Sequence, residues 1–124
     1  MPLPTRSSVR VLQADAGLDS AIAVLFLVLA STPSAGAWAR PAWLGAPVLL
    51  VTAAVLVLFA AGLLVLARRP DESALRALGI GNGVSAAVVA IWVLADPAFG
   101  SALRVVLLVV AASLAAVAVA QVRA

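Results

Sequence analysis

PVLLVTAAVLVLFAAGLLVLA, residues 47–67, contains no charged side chain. As an α-helix these residues extend about 31 Å at 1.5 Å per residue, and the hydrocarbon core of a bilayer is about 30 Å thick. The stretch reads as a membrane-spanning helix, opened by Pro47 at a position where the missing N–H does no harm.

On either side of it the sequence turns polar. Arg68-Arg69-Pro70-Asp71-Glu72-Ser73 is a tight turn with cations at one helix C-terminus and acids at the next N-terminus, which suits both helix dipoles. Residues 32–46 form a loop punctuated by Pro33, Gly36, Pro41 and Gly45, and its Trp38 and Trp43 suit a membrane–water interface. Beyond the turn, a third helix is expected over residues 73–95, capped by Asp71 or Ser73 and stopped by Asp96-Pro97. A fourth is expected over residues 98–122. The first, over residues 9–30, contains LQADAGLDSAIAVLFLVLA at 12–30. Its uncharged part, from Ser20 to Ser31, is about 18 Å long. To span a bilayer this helix must reach backwards and carry Asp19, with Asp15 behind it, to the hydrocarbon boundary or inside it. A secretory signal peptide is the rival reading, with apolar residues 21–30 and an Ala35-Gly-Ala37 site, but two aspartates interrupt where its apolar region should already run.

Four helices joined by three short connections make an up-down-up-down antiparallel bundle. The expected fold is therefore an all-α membrane protein with a single domain over residues 1–124. Composition agrees: 65% of the 124 residues are hydrophobic and 10% charged, with mean hydropathy +1.22. A soluble chain has about 45–50% apolar and about 25% charged residues. The chain has no Cys or His, which removes thiol redox chemistry, imidazole bases and the commonest zinc and haem ligands. No catalytic, cofactor or metal site is expected, and the net charge of +3 forms no patch suited to nucleic acid. The Ala, Val, Leu and Arg bias points to a bacterium.

All eight basic residues are arginines. Arg6, Arg10, Arg68, Arg69, Arg76 and Arg123 fall on one side of the bundle, and Arg40 and Arg104 on the other. The positive-inside rule then puts both termini in the cytoplasm and the protein in the inner membrane as a multi-pass chain. Trp38, Trp43 and Trp92 come out at the opposite face.

Asp15 and Asp19 are four residues apart and stack on one face of a helix. At a similar depth the topology brings Asn82 and Ser85 of helix three and Gln121 of helix four, with Arg76 about 9 Å nearer the cytoplasm. Asp15, Asp19, Arg76, Asn82, Ser85 and Gln121 are the expected polar cluster, with Arg76 the counter-charge of Asp15. Ionisable groups within a membrane mark functional sites, whereas Asn and Gln also bridge helices for about 0.6 kcal/mol each. Both readings stand on the sequence. Gly79, Gly83 and Ala87 form a small-residue stripe, matched by Ala112, Ala116 and Ala120, for packing helix three on helix four or on a second copy.

The segments QADAGLDS (13–20), ARRP (67–70), RALGIGN (76–82) and AQ (120–121) together resemble a group of small bacterial four-helix membrane proteins. That group shows an Asp-Ala pair in helix one, an asparagine in helix three and a glutamine closing helix four. The resemblance implies the four-helix architecture and singles out Asp15, Asn82 and Gln121; it implies no activity. A tryptophan soon after the asparagine is common in the group, and here Trp92 stands ten residues on.

The expected role is that of a non-enzymatic accessory or interaction protein, with the lipid bilayer and a second copy or another membrane protein as partners. The alternative is a small proton-coupled transporter that uses Asp15 and Asp19. Small multidrug exporters have a similar length and a first-helix carboxylate. This chain differs in lacking tyrosine, in its arginine asymmetry and in having its acids toward the membrane edge.

The arginine count generates a test. In this cysteine-free chain, Ala37→Cys should react with an impermeant thiol reagent applied outside intact cells. Labelling from the cytoplasmic side alone would reverse the orientation.

Overall fold

Proline, glycine and paired charges cut the apolar sequence into helices near the expected places. The computed structural model describes the backbone of residues 6–123 and the side chains from Ser7 to Arg123; residues 1–5 lie outside the described residues. Helix α1 is Arg6–Ala30, α2 is Ala46–Leu66, α3 is Glu72–Ala95 and α4 is Ser101–Arg123, with a 3-10 turn at Gly36–Trp38. Each helix is long and apolar enough to cross a membrane.

Local chemistry sets the boundaries. Asp71 caps α3 by accepting a hydrogen bond from the Ser73 N–H at 3.3 Å. Helix α2 carries Pro47 in its first turn, with Gly45 as the cap. Helix α4 starts at Ser101, after a turn. Asp96 accepts from the Ala98 N–H at 2.9 Å and holds a turn, and the Gly100 N–H then donates to the Ala39 carbonyl at 2.8 Å. Any Cβ on Gly100 would collide with the carbonyls of Gly36 and Ala37, so this junction between the outer loop and α4 requires glycine.

Two arginines close helix ends. Arg40 donates through Nη1 to the carbonyls of Leu29 and Thr32, both at 3.0 Å, at the end of α1. Arg104 does the same for α3, donating to the carbonyls of Val93 at 2.6 Å and Phe99 at 3.0 Å. Carbonyls of a last helical turn lack partners within the helix, and a guanidinium can satisfy several at once.

The bundle is two hairpins joined along one edge. Helix α1 packs along α2 and α3 along α4, and the hairpins meet chiefly through α1 and α4. Helices α2 and α3, though consecutive, do not pack along each other. The buried residues form layers: Leu29, Leu49, Val93 and Leu103 toward one end, Ile22, Ala86 and Leu114 in the middle, and Leu12, Ala60, Leu63 and Leu75 toward the other.

The seam between α3 and α4 differs from the expected stripe. Gly79 is buried, and a Cβ there would lie 2.7 Å from Val122 Cγ2 and 3.0 Å from the Ala118 carbonyl. At Gly83 a Cβ would meet only the Ala118 methyl, at 3.8 Å. The seam continues through Ala86 rather than Ala87, which is exposed. On α4 it uses Ala111, Leu114 and Ala118, while Ala112 and Ala116 face outward. Steps of four residues drift about 40° each on a helix with 3.6 residues per turn, so mixed steps of four and three hold a face better.

Gly79→Ala should therefore destabilise the protein by about 1–3 kcal/mol through overpacking. Gly83→Ala should be neutral or stabilising by up to about 1 kcal/mol from helix propensity. Thermal unfolding in detergent separates them, and equal losses would contradict the seam.

Candidate functional site

Between the middle and lower apolar layers lies a polar one. Asp15, on the buried face of α1, is fully enclosed. Its Oδ2 accepts from Asn82 Nδ2 of α3 at 3.0 Å and from Gln121 Nε2 of α4 at 2.5 Å. The ring closes where Asn82 Nδ2 also donates to Gln121 Oε1 at 2.7 Å. Three residues that are distant in sequence thus share one set of bonds, and the carboxylate decides which way both amides face. A carboxylate accepts only, so each amide turns its N–H₂ toward Asp15.

Asp19 is treated differently. One turn along α1 from Asp15, it is 3% exposed. Among the described residues, neither Asp19 Oδ2 nor Asp15 Oδ1 has a hydrogen-bond partner. Ser20, its neighbour in sequence, donates instead to the Ala16 carbonyl within α1, at 2.8 Å. A buried carboxylate oxygen left without a donor is unfavourable, so this position contributes little to holding the bundle together. It also lies near the middle of α1, which spans Arg6–Ala30.

Asp19 lines a cleft of about 700 Å³. Helices α2 and α3 form its walls and α1 and α4 its floor. The turn after α2 joins the walls at one end. At the other, the rings of Trp43 and Trp92 stack with centroids 4.7 Å apart and planes 30° apart. The cleft is largely apolar, with Phe26, Leu56, Phe59 and Leu78 among its lining residues, and Asn82 and Ser85 beside Asp19. Thr52 also lines it, but its hydroxyl donates to the Val48 carbonyl at 2.8 Å.

Of the six expected cluster residues, Asp15, Asn82 and Gln121 are directly bonded, and Asp19 and Ser85 share the cleft with Asn82. Arg76 stands apart. It is exposed, and its guanidinium lies 3.8 Å from Glu72 one turn away on α3. The counter-charge expected for Asp15 is replaced by two amide donors, because Arg76 points off the solvent-facing side of α3. The sequence reading also missed Gly62 and Gly81, which line the cleft from opposite walls. A lone glycine inside the otherwise apolar α2 was the available signal.

Comparison of the chain with protein-family models, curated proteins and solved structures gives no match.

The surroundings of the two aspartates should respond oppositely to replacement of Asn82, a donor to Asp15, and of Asp19 itself. Asn82→Leu removes one of the two donors of Asp15 and leaves Gln121 Oε1 without one, and should cost about 1–3 kcal/mol. Asp19→Leu removes a buried carboxylate without a donor and should leave the unfolding temperature unchanged or raise it. Thermal unfolding of the two variants reads the difference, and a comparable loss in both would remove this division of roles.

Proposed function

We propose that the chain is a small multi-pass protein of a bacterial cytoplasmic membrane, with both termini on the inner side. Its work is to bind a small molecule in the cleft between α2 and α3, without catalysis. Membership of the group of small bacterial four-helix membrane proteins that its motifs resemble is part of this proposal.

Arginine chemistry supports the orientation. Arg40 and Arg104, on the proposed outer side, are engaged with helix-end carbonyls. Arg10, Arg68, Arg69, Arg76 and Arg123, on the proposed inner side, are exposed. The membrane reading is supported by four helices of spanning length whose large apolar residues, such as Leu58, Val65, Ile91 and Val105, are more than half exposed. In lipid that surface needs no other cover.

The observation that carries the binding reading is Asp19: buried, without a donor, and lining a cleft of ligand size. Pockets for small molecules are typically about 300–1,000 Å³, apolar, with a few polar groups that set orientation. An accessory role, with a second copy or another membrane protein as partner, is supported by the apolar outer faces alone, which lipid covers equally well. Proton-coupled transport is the narrower version of the binding reading. The station of Asp19 near the middle of α1 favours it, since an exchange point serves both sides best from there.

The cleft should open toward lipid. A polarity-sensitive fluorophore on Ser85→Cys, in nanodiscs, should be quenched by nitroxide-labelled lipid more strongly than by aqueous iodide. Adding Gly81→Leu, which narrows the cleft, should reduce the quenching by lipid. Stronger quenching by iodide would mean that water fills the space and would sink this reading.

A further inference from the structure

The polar groups that face the cleft are chiefly acceptors, with the Ser85 hydroxyl as a neutral exception. Asn82 has two amide hydrogens, and both are committed, to Asp15 and to Gln121. What remains for the cleft is its carbonyl oxygen, an acceptor. Asp19 contributes a carboxylate, also an acceptor, and no cationic side chain is among the lining residues. Arg76, the nearest candidate in sequence, is turned toward Glu72 outside. The floor of the cleft thus has the Asn82 carbonyl, the Asp19 carboxyl group and the neutral Ser85 hydroxyl, but no cationic partner.

Gly62 and Gly81 add a second, independent observation. Both line the cleft, and a Cβ on either would meet nothing within 4 Å. Packing does not require glycine at these two points, in contrast to Gly79. Glycine weakens a helix relative to any side chain that fits, and here its effect is to keep the walls bare on both sides of Asp19. Along α3 the lining runs from Ala74 to Val89, about 22 Å at 1.5 Å per residue. The space is long, apolar and charged at one place.

From these observations we propose that the α2/α3 cleft binds a hydrophobic organic cation, its charge set against the Asp19 carboxylate and the Asn82 carbonyl and its apolar body against α2 and α3. The proposal rests on the binding reading above and adds the chemical class of the ligand. A single free carboxylate selects a monovalent charge. Calcium and magnesium take six or more oxygen ligands, and among the described residues no three acidic, His or Cys side chains gather to hold a metal ion. Phe26 and Phe59 offer aromatic faces of the kind that attract a desolvated organic cation. Asp15, already bonded to two amides, fixes the direction of Asn82 and so acts as a positioning residue.

Tetraphenylphosphonium and tetraphenylborate share a shape and differ in sign, which makes them suitable probes. Equilibrium dialysis against the full-length protein in detergent, with the Gly81→Leu protein as the blank for a filled cleft, measures each. The phosphonium should bind saturably, at least about tenfold more weakly to Asp19→Asn because a buried charge pair has lost one partner, and with little change to Asp19→Glu. The unfolding temperature of Asp19→Asn should match the wild type, so that weaker binding is not misfolding. The borate should show no saturable binding. Saturable borate binding that Gly81→Leu abolishes would overturn the charge assignment while leaving the cleft as a binding site. Unchanged phosphonium binding in Asp19→Asn would overturn the role of Asp19, and absence of binding for both ions would overturn the binding reading as well.

Discussion

One carboxylate oxygen, Asp15 Oδ2, holds the two hairpins in register. It is bonded by amides from α3 and α4 while being carried on α1. Hydrogen bonds to charged groups contribute about 1.5–3 kcal/mol where they are well formed, but their geometric demand is the larger effect. A helix rotated by one residue moves a side chain about 100° around its axis, and neither amide could then reach. Apolar layers above and below tolerate such slips far better, since one aliphatic contact replaces another. The polar layer selects a single arrangement from many of similar burial.

That arrangement determines where space is left. Close approach of α4 to Gly79 draws the second hairpin tight, and the Asp15 bonds bring its amide-bearing face to α1. Helices α2 and α3 are then on the outside of this contact, tethered by their turn and by the Trp43–Trp92 stack. The cleft follows from joining two hairpins along one edge. Asp19 borders it because it lies a turn beyond Asp15 on the same face of α1.

The sequence made the helices legible and left their neighbours hidden. Residues 47–67 announce a spanning helix by length and lack of charge, and Arg68 to Ser73 announce its turn. In α2 every face is apolar, so no stripe distinguishes the side that meets α1 from the side that faces outward. Hence the parting of α2 from α3 could not be read, nor the cleft. Asp15, Asn82 and Gln121 were legible as polar residues at one depth, because placing them required only topology and helix rise. The bonding among them depends on rotations about helix axes that spacing fixes poorly. Arg76 shows this: its height was right for Asp15, but its direction took it to Glu72. The i+4 stripe ending in Ala87 failed for a related reason, since the angular drift was ignored.

The polar layer also bears on how such a chain is made. Asp15 meets Asn82 and Gln121 across 67 and 106 residues of sequence. If helices enter the bilayer in the order of their synthesis, the first hairpin arrives with an acid whose partners do not yet exist. Until α3 and α4 follow, that acid lacks both of its amide donors. Completion of the last helix supplies the second of them. The ring of bonds can therefore close only when the chain has been made as far as Gln121, so the register of the first helix is decided by almost the last residue of the fourth.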